Sequence, residues 1–329
     1  MKLQDLYDTA VRMGIDADPR GRDGIDRFLE TTRRRYEKLP DYVKAEYDEE
    51  EFSNPFADTR VYVGDPQAQV TSLLAGIDMN VGEVLLADRL REKGRPIDAV
   101  YTHHPEGCGL SQLDKVMSVQ ADIWAGLGVP IQAGEKLIDE RRGEVRHRLM
   151  PLNHDQAIDA ARLLGIPFFS AHTPTDNLVY SFLTRYFDEL QPHTLGDVRK
   201  ALYDVPEFRI AARHGAGPTL PDGRAEKRAG KVIVDMTGGT EGPVKAMKEL
   251  ADKGVGTIVC MHMSKDLRKA ADKHAVHVVI AGHMASDSVG INLLLDEYER
   301  QGVAIVPTSG LIRVRRGAGG EVLEEEPAV

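Results

Sequence analysis

The 329-residue sequence predicts an α/β protein of two lobes, in which mostly parallel or mixed sheets are flanked by helices, with a helical arm at the N-terminus. Three observations favour this fold class. Short apolar runs alternate with amphipathic stretches, as in a parallel sheet buried between helices. Apolar residues make up 42% of the chain and aromatic residues only 6%, which is typical of globular α/β or helical proteins. The chain is also long enough for two ordinary domains.

The first 53 residues are rich in charge and in helix formers, and they predict an N-terminal helical extension. Apolar residues such as Tyr7 and Phe28 are spaced as in interrupted amphipathic helices. Asp18-Pro19-Arg20-Gly21 predicts a break between these helices, and Asn54-Pro55 marks the start of the α/β body. We interpret the extension as an arm added to that body.

The body is predicted from alternating strands and helices. Strands are expected at 61–63, 72–78, 99–102, 129–131, 165–171, 231–236, 257–261 and 276–280, and helices at 81–93, 116–127, 155–164 and from Pro243 onwards. The charged stretch 134–152 is interpreted as a surface elaboration, and the glycine-rich stretch 215–230 as an exposed loop. We assign 54–190 and 275–329 to one α/β lobe, and 191–274 to a second.

Charge and cysteine content exclude several classes of protein. The net charge is −10 and the longest basic run is Arg33-Arg34-Arg35, so the sequence offers no broad surface for nucleic acid. Cys108 and Cys260 are too few for a disulfide framework. No apolar run approaches the length of a membrane span, and the N-terminus lacks the apolar core of a signal peptide. We therefore expect a cytoplasmic protein that binds neither nucleic acid nor membrane.

Three predicted strands end in polar residues that are suited to metal binding. The first of these three strands, predicted at 99–102, runs into His103-His104-Pro105. Neighbouring residues on an extended chain point to opposite sides, so two metal ions accommodate this pair better than one. A hydrogen-bonded histidine pair without a metal is the alternative. Because functional groups gather beyond the carboxyl ends of parallel strands, the position favours a functional site.

The second and third segments add carboxylates. Asp176 follows a strand end, four residues after His172, and its two oxygens can bridge two cations. A cap or turn residue is the alternative interpretation of this aspartate. His283 and Asp287 are four residues apart, so they share one face of a helix and can converge on one cation. An aspartate that only stabilises the helix N-terminus is the competing interpretation.

Together the segments supply three imidazoles and two carboxylates without a thiolate: His103, His104, His283, Asp176 and Asp287. Nitrogen and oxygen donors of this kind suit zinc, iron, manganese or nickel and do not select among them. The sequence therefore predicts two divalent metal ions per chain, held by the first lobe.

The order, strand context and approximate spacing of these three motifs, from about Asn54 to Arg316, resemble the Nif-three-like family, which also carries the name GTP cyclohydrolase type two. The resemblance implies that His103 and His104 serve different metals and that Asp176, His283 and Asp287 complete the ligand set, with one or both carboxylates bridging and His172 close by. It also implies a toroidal homohexamer whose sites face an interior cavity.

The sequence departs from the family pattern in several places. Glu106-Gly107-Cys108 stands where the family usually has apolar residues, Pro174-Thr175 replaces Asn-Leu, and Asp287 replaces Glu. A shorter carboxylate draws its backbone closer to the metal or lengthens the contact. The N-terminal arm and the stretch 134–152 lie outside the family's common core.

Other residues are candidates for catalysis. Glu106, His172 and His262 each lie near a predicted strand end and are candidates for accepting a proton from a metal-activated water. His172 and His262 are equally explained as groups that support the ligands or the core. A buried, inert thiol is the interpretation we favour for Cys108. The turn Thr237-Gly238-Gly239-Thr240-Glu241-Gly242 matches no phosphate-binding motif, and we interpret it as a plain tight turn.

The sequence thus predicts a metal-dependent hydrolase that acts on a phosphorylated or nucleotide-like small molecule. The rival hypothesis is a non-catalytic homohexamer that binds or delivers metals or docks a partner. Cyclohydrolase activity itself rests on the resemblance alone.

Overall fold

The computed structural model describes residues 1–221 and 223–325, so the last four residues assigned to the first lobe lie outside it. The predicted α/β class is confirmed. The strands are β1 (Val61–Val63), β2 (Ser72–Gly76), β3 (Ala99–Thr102), β4 (Phe168–Ser170), β5 (Lys231–Asp235), β6 (Val255–Cys260), β7 (His277–Ile280), β8 (Ala304–Pro307), β9 (Val314–Arg316) and β10 (Val322–Glu325).

The α-helices are α1 (Leu3–Asp16), α2 (Gly21–Glu37), α3 (Asp41–Lys44), α4 (Val81–Glu92), α5 (Gly107–Ser111), α6 (Val119–Gly126), α7 (Ile131–Leu149), α8 (Gln156–Leu164), α9 (Thr173–Leu190), α10 (Leu195–Asp204), α11 (Pro206–Arg213), α12 (Ala246–Asp252), α13 (Lys265–Lys273) and α14 (His283–Arg300). Two short 3-10 helices lie at Glu49–Phe52 and Leu113–Ser118.

The larger sheet has the strand order β1-β4-β3-β2-β8. The pairs β4–β3, β3–β2 and β2–β8 are parallel, and only the edge strand β1 is antiparallel. Its central strands are buried on both faces, which explains their continuous apolar sequences. Leu74, Val100 and Phe168 pack against α4 and α8, while Leu73, Tyr101 and Phe169 pack against α1 and α14.

The smaller sheet has the order β5-β6-β7, with both pairs parallel. One face, with Val259 and Val279, packs toward α9 and α14, and the other, with Ile258 and Val278, packs toward α6, α7, α12 and α13. Because β7 pairs with β6, the lobe boundary placed at residue 275 separates two neighbouring strands of one sheet. The helices α9 and α14 lie between the two sheets and contribute to the cores on both sides.

The strand expected at 129–131 is wrong. Val129 is followed by Pro130 as the N-cap of α7, whose first residue is Ile131. Proline fixes a backbone angle compatible with a helix start and donates no ladder hydrogen bond, so this short apolar run begins a helix. The stretch 134–152 is mainly that helix. It is largely charged, but Ile138 and Val145, two turns apart on one face, are buried against the second sheet's helical layer.

The N-terminal helices were expected to form an added arm, but α1 is part of the core. Leu3, Leu6 and Ala10 are fully buried, and they belong to the same apolar cluster as strands β2 and β3 and helix α14. The hydroxyl of Tyr298 in α14 donates a hydrogen bond to the backbone oxygen of Leu6 at 2.7 Å. The predicted break occurs where α1 ends at Asp16 and α2 begins at Gly21.

None of the helices in the described part of the chain is long and apolar enough to cross a membrane.

A truncation in α1 tests whether this helix is part of the core. Leu6→Ala removes a fully buried side chain, and we expect it to lower the free energy of unfolding by about 2–5 kcal/mol because it leaves a cavity. Leu163→Ala, at an α8 position where the side chain is 87% exposed, is the control and should change stability little. Denaturant unfolding of both variants measures the difference. Equal stabilities would show that α1 is an added arm after all.

Candidate metal centre

The three predicted motifs meet between the two sheets. His103 and His104 directly follow β3, and Asp176 lies in the first turn of α9, which follows β4. His283 and Asp287 lie in the first two turns of α14, which follows β7. All three segments therefore come from the carboxyl ends of parallel strands, but from strands of both sheets. This arrangement places the site at the junction of the two sheets.

Asp287 occupies the centre of the cluster. Its Oδ1 lies 3.6 Å from Nε2 of His103, while its Oδ2 lies 3.7 Å from Nε2 of His104 and 3.5 Å from Nε2 of His283. The two oxygens thus face different histidines. The spacing of four residues between His283 and Asp287 does bring their side chains together, as the helical periodicity predicts.

Asp176 approaches only one side of this centre. Its Oδ1 lies 3.6 Å from Nε2 of His103, and its Oδ2 lies 3.7 Å from Nε2 of His172. Asp176 is therefore close to His103 and His172, whereas Asp287 faces both His103 and the pair formed by His104 and His283.

The orientation of the first two histidines is set through their Nδ1 atoms. Nδ1 of His103 lies 2.9 Å from the hydroxyl of Thr175, and that hydroxyl donates to the carbonyls of Ala171 and His172, so Nδ1 of His103 is the donor. Nδ1 of His104 donates to Oδ1 of Asp78 at 2.7 Å. Both tautomers leave Nε2 with a free lone pair directed at the carboxylates, which is how metal-binding histidines are usually held.

His172 is held by Asp58, which the sequence analysis did not identify. Oδ2 of Asp58 accepts hydrogen bonds from Nδ1 of His172 at 2.7 Å and from the hydroxyl of Thr173 at 2.6 Å. Asp78 was also missed, although it follows the end of β2 and so carries the same positional signal as the predicted ligands. Asp58 carries no such signal, because it precedes a strand.

The atoms at the centre of the cluster have no hydrogen-bond partners in the described part of the chain. These buried atoms are Nε2 of His103, Oδ1 of Asp176 and both carboxylate oxygens of Asp287. Polar atoms buried without partners are costly. Ligand atoms within 4.8 Å of one another form the groups His103/Asp176/Asp287, His104/His283/Asp287 and His103/His104/His172. These residues can hold metal ions, and the donor set fits the expected transition metals.

Burial sets the protonation of the ligand groups. It lowers the pKa of His103 well below its usual value, and it lowers the pKa of His283 to about 4, although the charge of Asp287 opposes this shift. Burial also raises the pKa of Asp176 and of Asp287. Neutral imidazoles are ready to bind a cation, while the buried carboxylates need a cation to be stable in their charged form.

His172 differs from the other histidines in its charge. Burial opposes its protonated form, but the neighbouring carboxylates of Asp176 and Asp58 outweigh burial and raise the pKa of His172 to about 9. The hydrogen bond from His172 lowers the pKa of Asp58 despite complete burial. At neutral pH the pair is therefore an imidazolium and a carboxylate.

Close helix packing brings the two aspartates together. A Cβ atom on Gly290 in α14 would lie 2.1 Å from the carbonyl oxygen of Thr175 in α9, which is far too close. Glycine at this position therefore lets α14 approach the first turn of α9, and Asp287 lies one turn before Gly290. Similarly, a Cβ atom on Gly14 in α1 would lie 2.7 Å from Pro174.

A cleft that is open to solvent lies beside the cluster. It is lined by His172, Asp176, His283 and Asp287, and also by the ends of β5 and β6 and the turn 237–242. His262 lines the cleft, and its ring centre lies 4.9 Å from that of His283. Asp176 and Asp287, which carry unpartnered atoms, therefore line a cleft, although those atoms themselves are buried.

Glu106 lies away from this cleft. It precedes α5, and burial, together with the nearby charges of Asp78 and Asp155, raises its pKa to about 7. Because Asp78 also contacts His104, Glu106 lies on the His104 side of the centre. Cys108 is exposed, so the expected burial is wrong. Its position in the short helix α5, at the surface, explains the exposure.

The turn 237–242 is held in place by two side-chain amides. The amide nitrogen of Gln120 donates to the backbone oxygens of Gly238 and Thr240 at 2.9 and 2.7 Å. The hydroxyl of Thr237 donates to the amide oxygen of Asn177 at 2.6 Å. Asn177 in turn donates to Asp18, in the break between α1 and α2. The turn is thus a fixed wall of the cleft, connected to the N-terminal region.

Comparisons with known proteins identify the fold. No family model and no curated protein matches the chain. A NIF3 superfamily protein from Sphaerobacter thermophilus is similar over 93% of this chain and 98% of that protein, with 25% identity and a TM-score of 0.70. Reduced HcgD from Methanocaldococcus jannaschii is similar over 75% of this chain and 87% of that protein, with 14% identity and a TM-score of 0.47. TTHA1606 from Thermus thermophilus is similar over 82% of this chain and 96% of that protein, with 16% identity and a TM-score of 0.45.

Fold and site together define an α/β protein with a histidine and aspartate cluster, suited to metal ions, at the junction of two sheets. The chain has the fold of the NIF3 superfamily, and the resemblance to the Nif-three-like family is confirmed.

A substitution at Gly290 tests the role of close helix packing. Gly290→Ala forces α14 away from α9, and we expect it to lower the free energy of unfolding by about 1–3 kcal/mol and to weaken metal binding. Gly143→Ala is the matched control: this exposed glycine in α7 has open space around it, so alanine should raise stability by about 0.5–1 kcal/mol. Thermal unfolding and metal titration of both variants measure these effects. A stable Gly290→Ala protein with normal metal affinity would contradict the packing argument.

Proposed function

We propose that the chain binds two divalent metal ions that share Asp287. His103, Asp176 and Asp287 would hold one ion, and His104, His283 and Asp287 would hold the other. The proposal is supported by the opposite directions in which the two oxygens of Asp287 point. The sequence allowed either carboxylate to bridge, and the geometry favours Asp287.

We further propose that the protein is a metal-dependent hydrolase for a small molecule that carries a phosphate or another oxyanion. The observation that supports this function best is the open cleft, because it would place a substrate beside the ligand residues Asp176, His283 and Asp287. Two bound cations would lower the pKa of a water molecule at the site and stabilise negative charge that develops on the substrate.

The chain itself contributes orientation and proton transfer. Asp58 fixes the ring of His172 through Nδ1, so that Nε2 of His172 faces the centre. His172 is thus placed to exchange a proton with a substrate group that lies in the cleft. Asp78 fixes the tautomer of His104 in the same way. On the His104 side, Glu106 remains a candidate proton acceptor.

Metal content tests the assignment of the ligands. The wild-type protein should bind about two ions per chain, Asp287→Ala should bind almost none, and Asp176→Ala should keep about one, because only Asp287 faces both ligand groups. Asp188→Ala, on the exposed side of α9, is the control and should bind metal as the wild type does. Metal analysis after dialysis measures the content. If Asp287→Ala kept one ion and Asp176→Ala none, Asp176 would be the bridging residue.

Turnover tests the proposed activity. The metal-loaded protein should hydrolyse at least one member of a panel of phosphoesters, nucleotides and cyclic amides, and His104→Ala should lower kcat/KM by roughly 100-fold or more because the second ion is lost. Asp188→Ala again serves as the control. A fully loaded protein that turns over nothing in the panel would favour the non-catalytic metal-binding role. The homohexamer stays a prediction, which light scattering can test.

A further inference from the structure

The lining of the cleft also carries a carboxylate that the proposed hydrolysis does not use. Asp235 is the last residue of β5, pairs in register with Cys260 of β6, and lines the cleft together with Thr237, Thr240 and Glu241. Because β6 lies between β5 and β7, Asp235 at the end of β5 lies about 10 Å, or two strand spacings, from the end of β7, where α14 begins with His283. One end of the cleft thus carries the metal-ligand groups, and the other carries Asp235.

Asp235 has no partner for its charge. In residues 1–221 and 223–325, no group donates a hydrogen bond to its side chain and no cation lies within ion-pair distance of it. Its neighbour Glu241 differs in this respect. Oε2 of Glu241 accepts a hydrogen bond from the backbone N–H of Ser264 at 2.9 Å, and its Oε1 lies 3.9 Å from the guanidinium of Arg141. Glu241 is thus used within the protein, and Asp235 is free.

The surroundings of Asp235 make its free charge unfavourable. Burial, together with the negative charge of Glu241, raises the pKa of Asp235 to about 6. At neutral pH the carboxylate is still mostly ionised, so it lies in a poorly hydrated place without a counterion. A cation that entered the cleft would relieve both the desolvation and the repulsion from Glu241.

We infer that Asp235 binds a protonated amine of the substrate, so that the cleft selects small molecules with an anionic group at one end and an ammonium group at the other. The metal-ligand end takes the anionic group, and Asp235 takes the cation. An anionic group at the Asp235 end would meet two carboxylates and be repelled. This inference rests on the proposed function, because it takes the metal-ligand end as the place where the anionic group of the substrate binds.

Binding of phosphonates tests the inference without hydrolysis, because their carbon–phosphorus bond is not cleaved by a phosphoesterase reaction. The probes are ω-aminoalkylphosphonates and alkylphosphonates of matched chain length, titrated calorimetrically into the metal-loaded protein. We expect the affinity of the best amino compound to exceed that of its alkyl counterpart by roughly tenfold or more, because a hydrogen bond between charged groups usually contributes that much. Asp235→Asn should remove this preference.

Two controls separate Asp235 from its surroundings. Glu241→Gln should keep most of the preference, because Ser264 and Arg141 engage the carboxylate of Glu241 and it acts on the amine only through its charge. Asp235→Asn should fold normally. A raised pKa means that the folded protein holds the proton more tightly than the unfolded chain does, so ionised Asp235 lowers stability as pH rises from about 4 to 6. The variant should therefore melt no lower than the wild type at about pH 8.

Equal binding of the two phosphonate series by the wild type, a preference that survives in Asp235→Asn, or no binding of either series would overturn the inference. These results are distinct from failure of the proposed function. An amine preference without any turnover would support the Asp235 site and contradict the hydrolase function. Turnover without an amine preference would support the hydrolase function and contradict the Asp235 site.

Discussion

The first turn of α9 is the point on which the site depends. Two other helices pack against it so closely that only glycine fits: Gly14 of α1 lies over Pro174, and Gly290 of α14 lies over the carbonyl of Thr175. The same turn carries Asp176, orients His103 through the Thr175 hydroxyl and begins at His172. Backbone contact between helices therefore fixes the relative positions of side chains that come from three distant parts of the chain.

This packing stabilises a cluster that is unfavourable by itself. Asp176 and Asp287 are buried beside each other, and burial raises the pKa of both. Apolar contacts of the long helices α9 and α14, which share cores with both sheets, offset that cost. Stability is thus supplied by the middle and far ends of these helices, and the site occupies their N-terminal ends, as is common for binding sites.

The sequence predicts the strand ends and their ligand-type residues correctly because each motif is local: an apolar run stops and polar residues follow. It could not predict partners that folding brings from afar, such as Asp58, which lies 114 residues from His172. Amphipathic spacing also shows that α1 has an apolar face without showing what covers it, so a core helix was interpreted as an arm. At Val129-Pro130-Ile131, three residues were too few to distinguish a strand from a helix start.

The position of α14 also has a mechanical consequence. Its N-terminus continues from β7 of the smaller sheet, while its later residues Ile291 and Leu295 pack against the larger sheet, to which His103 and His104 are attached through β3. An ion held between His103 and Asp287 would therefore act as a cross-link between the two halves of the molecule. The ion would add this cross-link to the contacts that α9 and α14 already make with both sheets, so metal binding would stabilise the whole fold as well as the site.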